Sequence, residues 1–193
     1  EIIFGTYDGL SVYNGFRFKN YTEKQHLPSN TVYVTYIDRN NKLWIGTQNG
    51  VCTMENGKIV PFTKDSVLAG KGVFTIYEDA GGNMWFGTTK HGAVKYVPST
   101  RKFISFTVEN GNLLSDNFIR SFGEDHKGNV IIGTVAGCVI ISPDNKKSKL
   151  NIKMQEFVGF TSIFRDRQNI LWLASENGIY KYANDKLINH FTI

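Results

Sequence analysis

The sequence predicts an all-β fold, a β-propeller, present as a partial ring of about four complete four-stranded blades plus three strands of another. Three observations predict it. An aromatic-Gly-Thr phrase recurs with its Gly, or the substitute, at Gly5, Gly46, Gly87, Gly133 and Ala174, at intervals of 41, 41, 46 and 41 residues. Asp38, Asp79, Asp125 and Asp166 each stand six residues before an anchor position held by Trp44, Trp85, Ile131 and Trp172, so a second marker keeps the same register. The runs before each Asp, such as "TVYVTYID" and "VFTIYED", are rich in β-branched and aromatic residues, the composition of strands.

Each repeat reads as four strands in order. The first ends at its Asp, whose carboxylate can bond the amides that follow and so start a turn. Three residues on stand Asn41, Gly82, Gly128 or Asn169, residue types that enter the left-handed region at low cost. The second strand is the Trp-Ile-Gly-Thr phrase. A second turn closes on Gly9, Gly50, Gly92, Gly137 or Gly178 and opens the third strand, as in "GVCTME" or "GAVKYV". A fourth follows near "KIVPFT", "KFISFT" and "LINHFT". A sheet this small cannot bury both faces alone, and repeats of roughly 40–45 residues that stack are propeller blades. The large anchor residue then fills the space between sheets, and the Gly after it admits the next sheet. Their constant register places Trp44, Trp85 and Trp172 in this core and not on a sugar-stacking platform.

The expected blades cover 1–22 (incomplete), 30–63, 72–107, 117–157 and 158–193, within one partial propeller domain. Closed propellers have about four to eight blades. The chain opens inside a repeat, without an initiator Met, and stops on "HFTI", where a fresh innermost strand would begin. It therefore reads as a fragment of a larger ring whose other blades would be its partners. The alternative is a five-bladed ring with one three-stranded blade. A truncated ring would expose blade faces and could associate through them.

Composition sets outer bounds. The chain has 193 residues and a net charge of +5, with no Lys/Arg block or basic-aromatic stripe of the kind that binds nucleic acid. No apolar run is long enough to cross a bilayer, and no signal-peptide pattern is present. Cys52 and Cys138 fit no ligand spacing and read as small buried hydrophobes, separated by too much of the fold to bridge.

The stretches "LPSNTVYVTYIDRNNKLWIGTQNGV" and "VFTIYEDAGGNMWFGTTKHGAVKY" resemble the two-component-regulator propeller repeat. The third repeat departs by losing its Trp. The fourth departs by reading Ala174-Ser175 for Gly-Thr, after an irregular linker over residues 142 to 160. The resemblance implies the periplasmic sensor region of a hybrid two-component system of Bacteroidetes. Such a region signals to a histidine kinase across the inner membrane, in a membrane-anchored homodimer. Relatives of this kind sense oligosaccharides released from glycans. On this reading the segment is not itself an enzyme and needs no cofactor or metal.

The residues offer little catalytic chemistry. His26, His91, His126 and His190 have no metal-ligand spacing. "DAGGN" and "DHKGN" lack the alternating oxygen ligands of a calcium loop and read as hairpin turns. "AGKG" is too short for a phosphate loop, and no Gly-x-Ser-x-Gly elbow occurs. A binding site is easier to place. Propeller ligands sit over the central channel, on a rim built from two sets of turns. One set carries Ser29, Asn30, Lys71, Asp116 and Asn117. The other carries Tyr7, Asp8, Gln48, Asn49, Lys90, His91, Glu176 and Asn177. Tyr33 and Arg120 share one position, five before their Asp, and are expected to face the channel. These amide, hydroxyl and cationic groups suit a hydroxyl-rich or acidic saccharide, with Arg120 the candidate to pair an acid. Two other classes compete. Lyases of the streptogramin type are similar propellers that use a His and an acid over the channel, for which His91 and Glu176 are the nearest candidates. A propeller that only docks proteins is the third.

Overall fold

The computed structural model describes residues 1–62, 67–109, 111, 114–150, 158–183 and 186–192. The expected blade ends at 63, 157 and 193, and the linker residues 151–157, lie outside the described residues. The chain is built of small antiparallel sheets, each with its strands in chain order. Sheet 1 holds β1 (Ile2–Thr6), β2 (Gly9–Tyr13) and β3 (Phe18–Tyr21). Sheet 2 holds β4 (Val32–Ile37), β5 (Leu43–Thr47), β6 (Gly50–Glu55) and β7 (Lys58–Pro61). Sheet 3 holds β8 (Val73–Glu78), β9 (Met84–Thr88), β10 (Ala93–Val97) and β11 (Lys102–Phe106). Sheet 4 holds β12 (Ile119–Glu124), β13 (Val130–Thr134), β14 (Gly137–Ile141) and β15 (Lys147–Lys149). Sheet 5 holds β16 (Phe160–Arg165), β17 (Leu171–Ser175), β18 (Gly178–Ala183) and β19 (Lys186–Phe191). These are propeller blades. Sheet 1 has three strands, with Thr6 opposite Gly9 as Thr47 is opposite Gly50, so the strand it lacks is the first.

Two side-chain devices fold each blade. In the first hairpin the Asp carboxylate gathers the turn, as the sequence implied. Oδ1 of Asp38 accepts from the amides of Asn40 and Lys42, both at 2.9 Å, and Asp125 and Asp166 do the same for Lys127 and Asn129 and for Gln168 and Ile170. Asn41, Gly82, Gly128 and Asn169 take the left-handed conformation there, at φ 59°, 78°, 79° and 61°. In the second hairpin the Thr of the Gly-Thr phrase is the staple. The hydroxyls of Thr6, Thr47, Thr88 and Thr134 donate to the carbonyls of Gly9, Gly50, Gly92 and Gly137, and accept an amide from within the turn. Ser175 keeps the same pair of bonds, with Gly178 and Asn177, which is why Ser replaces Thr there without loss of the turn.

The chain forms two compact units, Glu1–Ile76 and Tyr77–Ile193. In the first, Leu10, Val12, Tyr21 and Leu27 pack against Val32, Leu43, Ile45, Cys52 and Ile59, joining sheets 1 and 2. Gly46 shows why the phrase needs glycine. A Cβ there would lie 2.7 Å from the Val73 carbonyl oxygen, too close for any side chain while β8 keeps its place.

In the second unit, strand alternation sends neighbouring residues into different cores. Ile132 joins Trp85, Phe106, Ile119 and Phe122 between sheets 3 and 4, while Ile131 joins Phe160, Ile163, Leu173 and Tyr180 between sheets 4 and 5. Trp85 is the inter-sheet filler that its register implied. It is 1% exposed, stacked on Phe106 at 5.4 Å and tilted against Phe122 of sheet 4 at 6.0 Å. Ile131, the substitute for Trp, is equally buried. Buried Glu124 adds a polar latch, accepting from the amide of Ala80 at 2.8 Å and from the Tyr77 hydroxyl at 3.3 Å. Both cysteines are free and buried, and burial pushes each thiol up to about 12.

Candidate functional site

The first strands of sheets 2, 4 and 5 carry a feature that the sequence did not announce. Val32 pairs with Thr47 but Val34 with Gly46, Ile119 with Thr134 but Ser121 with Gly133, and Phe160 with Ser175 but Ser162 with Ala174. Tyr33, Arg120 and Thr161 are therefore the extra residues of three β-bulges. A bulge breaks the ladder and re-aims the side chain it carries. The shared position that singled out Tyr33 and Arg120 is thus a shared backbone distortion.

In the first unit, Tyr33 meets Phe74 with ring centroids 5.8 Å apart. Ser29, Gln48 and Asn49 are brought together with Glu23 and Pro28 around a polar groove of about 400 Å³. Asn30 is held nearby in a reciprocal clasp. Its amide oxygen accepts from the Glu23 amide at 2.9 Å, and its own backbone amide donates to Glu23 at 3.2 Å. Glu23 and Pro28 had no repeat register to mark them. Lys71 is half-buried and Tyr7 and Asp8 are exposed. Among the described residues, none of the three lines this groove.

In the second unit, Arg120 and Glu176 form an ion pair at 2.8 Å, linking the first strand of sheet 4 to the second hairpin of sheet 5. The Arg120 guanidinium also lies over the Phe118 ring at 5.8 Å. A half-exposed pair of this kind offers donors and acceptors side by side, with an aromatic face beneath. Arg120, the candidate to pair an acidic sugar, is matched by the Glu176 carboxylate, which offsets part of its attraction for an anion.

Asn117 does structural work. Its side chain accepts from the Val108 amide at 2.9 Å and donates to Glu109 at 2.9 Å, while its carbonyl accepts from the Gly92 amide at 2.9 Å. It thereby pins the loop that carries Lys90 and His91, both exposed. The Glu109 carboxyl is held below its usual range, first by its own backbone amide, then by hydrogen bonds from Thr107 and Asn117 and the nearby His91. The side chain of Asp116 accepts the Phe118 amide. The side-chain oxygen of Asn177 accepts from Ser175 and Tyr180, and His190 stacks on Tyr180 at 4.0 Å. Among the described residues, no hydrogen bond or ion pair joins His91 to Glu176, whose carboxylate is paired with Arg120. Phe118 and Phe74 escaped the sequence reading because each stands beside, or in place of, a marked residue in a strand that reads as core.

Residues 26–49 and 68–90 match the family described as Two component regulator propeller. Among solved structures, an extracellular domain assigned to a hybrid two component system of B. thetaiotaomicron matches with a TM-score of 0.80 and 24% identity, over 98% of this chain and 26% of that one. A second such domain from B. thetaiotaomicron matches at 0.74 and 25% identity, over 92% of this chain and 25% of that one. Virginiamycin B lyase from Staphylococcus aureus matches at 0.73 and 15% identity, over 96% of this chain and 63% of its own. The chain thus spans about a quarter of the extracellular domains it matches. No curated protein matches it.

Proposed function

We propose, from the match of residues 26–49 and 68–90 to the two component regulator propeller family, that this chain is part of the extracytoplasmic sensor region of a hybrid two-component system. It binds a glycan-derived oligosaccharide and transmits that event to a histidine kinase, in a membrane-anchored homodimer. No helix among the described residues is long and apolar enough to cross a membrane, which is compatible with this segment lying outside the bilayer. The remaining blades of the ring are its nearest partners. The outer face of sheet 5 supports this. Trp172, Lys181 and Phe191 repeat the arrangement of Trp85, Lys95 and Phe106, which sheet 4 covers with Phe122 and with Asn145, 3.2 Å from the Lys95 ammonium.

The observation that carries the binding reading is the bulge residue Arg120, paired with Glu176 over Phe118. A bulge, an ion pair and an aromatic face meet where two blades contribute turns. Such a set recognises the vicinal hydroxyls and the apolar face of a sugar ring. Signalling follows if the sugar has different affinity for two receptor arrangements, since only that shifts an equilibrium.

The test is calorimetric titration of neutral oligosaccharides into the chain and its Arg120→Ala variant. Affinity is expected to fall by about tenfold or more, the worth of one charge-assisted hydrogen bond, with an unchanged melting temperature. Equal affinity in the variant removes Arg120 from the site.

A further inference from the structure

We infer that the first unit holds a separate recognition site for the carboxylate or sulfate of a ring-sized anion, in the groove between the β2–β3 hairpin and the β6–β7 turn. The groove has a volume of about 250 Å³ and is lined by Arg17, Lys19 and Tyr21 together with Glu1, Val12, Asn14, Met54 and Gly57. This site does not depend on the sensor reading.

The groove follows from strand geometry. Lys19 and Tyr21 occupy alternate positions of β3 and share the face turned toward sheet 2, and Arg17 stands one residue before the strand, at the end of the turn. Tyr21 is buried, and its hydroxyl donates to the Gly57 carbonyl at 3.1 Å, which fixes the opposite wall. The Lys19 ammonium lies 4.9 Å above the Tyr21 ring. Asn14 accepts the amides of Phe16 and Arg17 with its side-chain oxygen, so it shapes the turn that presents Arg17. Val12 and Met54 supply an apolar floor.

Arg17 and Lys19 give this groove its positive charge. Arg120 is matched by Glu176 and Lys42 by Glu55, at 2.8 and 2.9 Å. Among the described residues, neither Arg17 nor Lys19 has a carboxylate within 4 Å. Two side-chain cations share the groove with one carboxylate, that of Glu1, so an anion between Arg17 and Lys19 relieves their mutual repulsion and gains charge-assisted hydrogen bonds. Arg17 brings the planar fork that matches a carboxylate or sulfate, and Lys19 a point charge. The volume lies below the roughly 300–1,000 Å³ of drug-sized pockets, so the occupant is a single ring or a terminal acidic sugar.

The experiment titrates glucuronate, inorganic sulfate and glucose into the 193-residue chain at fixed ionic strength, with binding read by calorimetry. Glucuronate is expected to bind and glucose not. Sulfate binding without glucuronate binding assigns the groove to the sulfate class. The Arg17→Ala/Lys19→Ala double variant, changed only at exposed side chains, is expected to lose about tenfold or more of the anion affinity at an unchanged melting temperature. Arg120→Ala is expected to keep it. Equal binding of glucose and glucuronate, binding of neither anion, or full affinity in the double variant overturns the inference. Loss of binding in Arg120→Ala alone transfers the anion to the rim and overturns it equally, while leaving the saccharide reading standing.

Discussion

The indole N–H of Trp85 donates to Oδ2 of Asp79 at 2.8 Å, and the same bond joins Trp44 to Asp38 at 2.8 Å and Trp172 to Asp166 at 2.9 Å. One carboxylate therefore does two jobs. Its first oxygen closes the hairpin through backbone amides, and its second anchors the residue that fills the space between blades. Sheet 4, which has Ile131 in place of Trp, gives the second oxygen of Asp125 to Asn129 at 2.7 Å, so the turn survives the substitution.

Removing the indole donor separates the two jobs. Trp85→Phe keeps the ring but removes one donor to the buried Asp79 carboxylate, whose Oδ2 retains the Asn83 side-chain amide at 2.9 Å, and is expected to cost about 1–3 kcal/mol. Trp85→Ala also empties the core and is expected to cost about 3–5 kcal/mol. Trp172→Ala should cost less than Trp85→Ala, because Trp172 is only half-buried. Urea denaturation of the three variants checks the order.

Gly46→Ala is expected to destabilise by about 1–3 kcal/mol, the usual cost of overpacking, because its methyl meets the Val73 carbonyl. The natural Ala174 holds the equivalent position in sheet 5, which no sheet follows among the described residues. Thermal melts of Gly46→Ala and Ala174→Gly should therefore differ sharply, with the second change costing at most the ~0.5–1 kcal/mol of backbone freedom.

The two thiols report on blade opening. Burial pushes Cys52 and Cys138 up to about 12, so almost no thiolate exists at pH 8. Alkylation by iodoacetamide is expected to be negligible in the folded chain and rapid in urea. Mass spectrometry that finds either cysteine modified at the rate of a free thiol, without denaturant, refutes the packing around it.

The Asp166 carboxyl is held below its usual range, first by the Trp172 indole and next by the Ile170 amide. A carboxyl with a lowered folded-state value contributes stability that is fully present above the ordinary aspartate range and is lost as pH falls through the folded value. Melting temperature should thus fall below about pH 4. Trp172→Phe should shrink the part of that fall owed to Asp166, and identical pH profiles for the two proteins would remove Asp166 from the acid response.

How much of this was legible in the sequence depends on whether a residue acts through spacing or through shape. The six-residue offset between Asp79 and Trp85 was countable, and it carried the fold, but that the two share a hydrogen bond was not. The Thr hydroxyl staple was visible as a repeated letter without a stated role. The bulges at Tyr33 and Arg120 were legible only as a common register, because a bulge leaves no composition signal in a strand of β-branched residues. Asn117 looked like a free rim amide and proved to be tied on three sides, since its partners Val108 and Glu109 lie in a connection with no repeat pattern. The groove at Arg17 and Lys19 was invisible because it depends on where the β6–β7 turn comes to rest beside β3.

A sensor role for this chain requires a saccharide to bind beside Arg120. Backbone amide shifts of the labelled chain, followed while neutral oligosaccharide fragments are added, test this most directly. The expected result is a saturable set of shifts confined to residues around Phe118, Arg120 and Glu176, absent in Arg120→Ala. Shifts that saturate elsewhere, or none with any fragment, contradict it.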